Sequence, residues 1–138
     1  MAVANALHRA GWDVWTPLFA AHSRIDLLAV GTAGVQRIQC KSASIRPGGV
    51  FFRTCSNTGN HPVDHRGQVD AFGVYSPSLD AVYLVPIDDV PRRGALLRLE
   101  PTRNGQMAGV RWAADYLVEG PDRSRNVQGG AGVGAPTG

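Results

Sequence analysis

The chain has 138 residues, 43% of them hydrophobic, with a formal net charge of +3, which supplies one domain of ordinary size with a core of its own. No run approaches the ~18 consecutive apolar residues of a membrane helix, and no basic segment followed by an apolar block opens the chain. A membrane span and a signal peptide are therefore not expected, and the cytoplasm is the default location. Two cysteines, Cys40 and Cys55, cannot make the disulfide framework of a small secreted domain and read as free buried thiols.

Ala2 to Ala10 sets Val3, Ala6, Leu7 and Ala10 at helical spacing, with Gly11 as a stop. Trp12 to Leu18 alternates and reads as a strand. Ile25 to Val30 is an apolar run interrupted by Asp26, a turn spans Gly31 to Gly34, and Val35 to Ser44 alternates again. Arg37, Gln39, Lys41 and Ala43 fall on one face of that last segment, and Gln36, Ile38, Cys40 and Ser42 on the other. The two runs predict a hairpin. After the Pro47-Gly48-Gly49 turn, Val50 to Cys55 predicts a strand, Ser56 to His61 a loop, and Val63 to Tyr75 a short helix or half-turn. Ala81 to Ile87 and Ala95 to Leu99 read as strands, and Met107 to Val118 as a short helix. The order predicts an α/β fold whose front half is mostly antiparallel. The folded domain is expected over 1–118; the Gly-rich segment 119–138 has little to bury and is expected to be disordered.

Lys41 is the only lysine; the other thirteen basic residues are arginines. Coding bias accounts for much of that excess, although guanidinium forks also suit phosphate oxygens, so DNA is raised as a partner. Lysine differs in kind from arginine, because its compact ammonium has a pKa that burial can shift. In the expected hairpin, Gln39 and Lys41 share a face about 7 Å apart and Asp26 lies across from them. A carboxylate, an amide carbonyl and an ammonium then meet at a sheet edge. A hard divalent cation takes oxygen ligands of this kind, with waters and a substrate phosphate completing its shell. The lysine can orient or deprotonate the attacking water, or offset transition-state charge. The fitting chemistry is metal-assisted phosphodiester hydrolysis.

Other candidates are weaker. His61 and His65 with Cys55 suggest zinc, but Pro62 interrupts the helix that a His-x3-His pair needs and no fourth ligand is evident. His22 and Arg24 precede Asp26 and are placed to touch a phosphate, and Arg46 and Arg53 flank a turn from which they could track a DNA backbone. The three tryptophans read as core and cap residues, and Asp70 as a helix buttress.

Asp26, twelve intervening residues and Gln39-x-Lys41 resemble the PD-(D/E)XK nuclease superfamily in its QxK variant. The frame around them is similar to the intron-associated endonuclease branch: Gly11-Trp12, Thr16-Pro17-Leu18, Ile25-Asp26-Leu27-Leu28, Val69-Asp70-Ala71-Phe72, Val82 to Ile87, Asn104-Gly105-Gln106 and Ala114-Asp115-Tyr116. The resemblance covers about residues 2–118. It implies a restriction-endonuclease-like core, a central mixed β-sheet flanked by helices, and Mg2+-dependent (or Mn2+-dependent) cleavage of DNA. It further implies Asp26 as metal ligand, Gln39 as second ligand or water-positioning group, the Cys40 backbone carbonyl as a further ligand, and Lys41 as the water-activating or transition-state group. By their positions near that site, and not by the resemblance, Arg24, Arg46 and Arg53 are the residues expected to contact DNA. Two sites are needed to cut both strands, so a homodimer or homotetramer is expected. Gln39 stands where most members carry an acid, and the glutamate usual early in the first helix would align just ahead of Met1. Those departures leave two other readings: a catalytically inactive DNA-binding relative, or an unrelated α/β interaction domain with a coincidental D…QxK.

Overall fold

The structure is a computed structural model that describes residues 1–19, 23–58, 61–64, 67–101, 104–105 and 109–119. Helix α1 (Ala2–Arg9) buries Val3, Ala6 and Leu7 on one face and ends where Gly11 takes a positive φ of 99°. Ten strands follow: β1 (Asp13–Trp15), β2 (Leu27–Gly31), β3 (Gly34–Ser42), β4 (Ser44–Arg46), β5 (Gly49–Arg53), β6 (Cys55–Thr58), β7 (His61–Asp64), β8 (Ala71–Ser76), β9 (Ala81–Pro86) and β10 (Gly94–Arg98). They form a five-stranded sheet of order β1-β2-β3-β8-β9, a three-stranded sheet of order β10-β5-β4, and a β6-β7 ribbon. The larger sheet is mixed: β3 pairs antiparallel with β2 and parallel with β8.

Alternation along the strands divides the interior into two layers. On one face of the large sheet Leu27, Ala29, Ile38 and Val82 pack under α1 with Val3, Ala6 and Leu7. On the other, Phe72, Val74, Tyr83 and Val85 meet Val50, Phe52, Ala95 and Leu97 of the small sheet. Phe52 and Phe72 join the two sheets edge to face, with ring centroids 5.8 Å apart. Gly73 of β8 lets the helix approach: a Cβ there would lie 2.5 Å from Val3 Cγ1 and 3.1 Å from Ile38 Cγ2. Among the described residues no helix is long and apolar enough to cross a membrane.

Several sequence expectations are corrected. The helix expected within Val63 to Tyr75 is absent among the described residues there; β7 and β8 occupy much of that span. Ala71 to Val74 are buried without helical periodicity because β8 is covered on both faces, as parallel central strands are. The loop expected over Ser56 to His61 contains most of β6 and the first residue of β7. The helix expected over Met107 to Val118 reduces, in its described part, to a 3-10 turn at Ala113–Asp115. One strand was expected from Val35 to Ser44, but the chain leaves β3 for β4 at Ala43, whose N–H bonds the Tyr75 carbonyl. α1 is the one α-helix among the described residues, so the sheet is flanked by a single helix on that face. Trp15 is 62% exposed rather than a core residue. The expected disordered tail lies, from residue 120 on, outside the described residues.

No tight hairpin sets the register between β3 and β8, which are parallel and distant in sequence. Arg37 and Asp70, one step before the first β3–β8 pair, fix it. Asp70 Oδ2 accepts the Arg37 backbone N–H at 2.8 Å and Nε–H at 3.0 Å, and Oδ1 accepts Nη2–H at 3.0 Å. The Asp70 N–H returns a bond to the Arg37 carbonyl at 2.8 Å. Asp70 therefore buttresses two strands and not a helix. The Arg37 hydrogen bonds, side chain first and backbone second, hold its carboxyl below the usual carboxylate range.

Gly73→Ala should destabilise the fold by about 1–3 kcal/mol through overpacking, and Val3→Ala should recover part of that loss. Strict additivity of the two changes in urea melts would contradict the close approach. Because the folded pKa of Asp70 is lowered, its stabilisation is fully present above the ordinary Asp value near 4 and is lost as pH falls through the folded value. Asp70→Asn should thus lower the urea midpoint at pH 7, with the gap to wild type closing under acid. A gap equally wide at both ends of the titration would contradict the charge-assisted clamp.

Candidate active site

β2 and β3 pair from Gly31 with Gly34 to Leu27 with Ile38. Asp26 stands just before the first residue of β2, and one further step of the ladder would set it opposite Gln39. At that step the ladder changes character. The Asp26 N–H bonds the Ile38 carbonyl at 2.8 Å, but the Cys40 N–H is taken, also at 2.8 Å, by the Asp26 side-chain Oδ2. The carboxylate thus substitutes for a strand where β2 begins. A strand residue points its N–H and C=O toward the same edge, so the Cys40 carbonyl also faces the Asp26 side. The Cys40 side chain turns the other way and packs partly into the layer under α1. Burial, reinforced by the Asp26 charge, pushes its thiol up to about 11. Both cysteines are free, Cys55 buried and Cys40 half-buried.

Gln39 and Lys41 lie on the opposite face of β3 from Cys40 and pair with Phe72 and Val74 of β8. Gln39 Oε1 is buried without a hydrogen-bond partner among the described residues. Such an acceptor costs free energy unless a donor or a cation satisfies it. Lys41 is half-buried, its Nζ 3.5 Å from the Cys55 carbonyl oxygen, to which it donates, and 5.8 Å from the centroid of the Phe72 ring. Burial lowers its pKa; Cys55 and Asp26 oppose that shift and Arg24 adds to it. The ammonium is therefore held by one carbonyl and an aromatic face, with no carboxylate in direct contact among the described residues.

The donors at this strand end are oxygens: the Asp26 carboxylate, the Cys40 carbonyl and the Gln39 amide. They suit a hard divalent cation that keeps waters and takes a phosphate oxygen as a further ligand. Asp26 is the one carboxylate in this donor set. Among the described residues no group of three or more His, Cys, Asp or Glu side chains converges, and the first turn of α1 contains no acid.

The remaining sequence candidates separate. Arg24 is half-buried, takes part in interactions of its own and acts on Lys41. Arg46 and Arg53 belong to the small sheet, where Arg46 lies over the Phe51 ring. His22, His65 and the side chain of His61 lie outside the described residues. Phe72 and the Cys55 carbonyl, partners of Lys41 among the described residues, were missed by sequence reasoning. The signal for Phe72 was present: Ala71 to Tyr75 is a short apolar run closed by Ser76-Pro77, a form that a buried strand and a helix segment share.

A bacterial homing endonuclease, I-Ssp6803I, is similar in structure, with a TM-score of 0.62 and 21% sequence identity over 84% of this chain and 81% of that one. At that identity the likeness establishes the fold: a restriction-endonuclease-like α/β core with a central mixed sheet. No curated protein matches the chain. A family model described as PD-(D/E)XK endonuclease matches residues 1–119, a span that holds α1, the whole mixed sheet and the Asp26–Gln39–Lys41 strand end; the chain belongs to the PD-(D/E)XK endonuclease family.

Proposed function

We propose that the protein is a Mg2+-dependent DNA endonuclease of the QxK type, with Asp26, Gln39 and Lys41 as its catalytic residues. The observation that carries the reading is the strand end where the Asp26 carboxylate takes the N–H of Cys40, the residue between Gln39 and Lys41. Family membership supports nuclease activity and leaves little room for an unrelated interaction domain. Asp26, the Cys40 carbonyl and Gln39 would hold the cation (Mn2+ serving as well), which supplies Lewis-acid polarisation of a phosphate oxygen when bound.

The chain's own groups do the rest. The Cys40 N–H orients the Asp26 carboxylate by donating to one of its oxygens. Lys41, short of solvent and with its proton held less tightly than usual, is suited to positioning or deprotonating the attacking water. While protonated it offsets the charge that accumulates on the phosphorus oxygens in the transition state. Phe72 and the Cys55 carbonyl hold the ammonium at the sheet edge. Cutting both strands of a duplex takes two such sites, so the reading includes a homodimer or homotetramer on DNA. Sedimentation that finds only monomer, with and without duplex, would contradict that part.

A second reading, DNA binding without cleavage, is favoured by the lack of an acid in the first turn of α1. Nicking of supercoiled plasmid in Mg2+ separates the two. Wild type is expected to nick, and Asp26→Ala and Lys41→Ala, matched for folding, are expected to lose at least about 100-fold in rate. Equal nicking by all three would overturn the assigned site. DNA binding by all three without nicking would establish the second reading.

A further inference from the structure

The outer face of the three-stranded sheet has no place in the active site. Val50 and Phe52 of β5 point into the core, so Phe51 and Arg53 point outward. Cross-strand register puts Arg46 and Arg98 on the same outer side, each opposite Gly49. Arg46 and Arg98, on the strands either side of β5, are about 10 Å apart, and Arg53 is about 13 Å further along β5.

The arrangement around Arg46 is built rather than incidental. Phe51 lays its ring over Gly94, where a Cβ would lie 2.7 Å from the ring. The Arg46 guanidinium lies over the same ring, 4.3 Å from its centroid. A guanidinium held by its face keeps its N–H edge available to a flat bidentate acceptor such as phosphate, and it has already lost much of its rotational freedom. Neither Arg46 nor Arg53 has a carboxylate partner among the described residues. Arg98 is tied down instead, donating from Nε to the Glu100 carbonyl at 3.1 Å and from Nη2 to the Pro101 carbonyl at 3.1 Å. Its charge stays on this face.

We propose that this face, with Arg46 pre-stacked on Phe51 and with Arg53 further along β5, grips the phosphodiester backbone of duplex DNA at a place separate from the cleavage site. The proposal rests on the reading of DNA as substrate. Geometry connects the two places. β3 runs into β4 through Ala43 alone, so the Arg46 backbone is at most about 17 Å from that of Lys41. That is within half a turn of B-DNA, whose pitch is about 34 Å, a separation that one bound duplex can span. The contacts are to phosphate and carry no base readout, so they set affinity and register and not sequence preference.

The test is fluorescence anisotropy with a mixed-sequence duplex in Ca2+ over a range of salt, for wild type, Arg46→Gln, Arg53→Gln and Phe51→Leu, each matched for thermal stability. Arg46→Gln and Arg53→Gln are each expected to weaken binding several-fold and to lower the slope of log K against log salt by about one. Phe51→Leu keeps every charge and is expected to weaken binding with the slope unchanged. Wild-type slope and affinity in both arginine variants would overturn the proposal while leaving the nuclease reading intact. Loss of binding in these variants, in a protein that never nicks DNA, would support the face and count only against cleavage. Absence of duplex binding by wild type at low salt would overturn both.

Discussion

The parallel pairing of β3 with β8 is the constraint on which the rest of the molecule depends. Antiparallel neighbours joined by a tight turn inherit their register from that turn, whereas β3 and β8 are separated by two strand pairs and must find register through contacts of their own. The Arg37–Asp70 clamp supplies them at the point where the ladder starts. A slip of one residue would turn Phe72 and Val74 out of the inter-sheet core and carry Gln39 and Lys41 with their partners to the wrong height. The same pairing seats Gly73 under Val3, so the position of α1 is fixed by the same register.

From that fixed strand the site follows with few further parts. β2 begins at Leu27, and immediately before it the backbone pairing gives way to a side chain, the Asp26 carboxylate on the Cys40 N–H. The fold thereby leaves two oxygen donors at a strand end without spending a separate loop on them. Lys41 sits one alternation beyond Gln39, and burial lowers its affinity for a proton. Mixed sheets place functional groups at strand ends where neighbours diverge, and here the divergence is measured by one hydrogen bond.

Much of the proposed site could be read in the chain because its members are local. Asp26, Gln39 and Lys41 belong to one hairpin, and period-2 alternation is enough to set their faces. The hidden parts are non-local. Asp70 reads as a helix buttress until it is seen beside Arg37, 33 residues earlier. Phe72 lies in a run that lacks alternation because β8 is buried on both sides, and that pattern does not separate a strand from a helix segment. β4 and the β6-β7 ribbon are short, polar and held by partners distant in sequence, so local propensity has little to say about them. Trp15 was misplaced for a related reason: alternation gives its face, but not whether anything covers that face.

The proposed function requires the end of β2 and β3 to be a cation site built from Asp26 and Cys40. Amide-resolved NMR with substoichiometric Mn2+ tests it most directly, without DNA and without turnover. The expected result is strong relaxation broadening at the amides of Asp26, Gln39, Cys40 and Lys41, displaced by excess Mg2+ and abolished in Asp26→Asn. Broadening centred elsewhere, or unchanged in Asp26→Asn, would contradict the account.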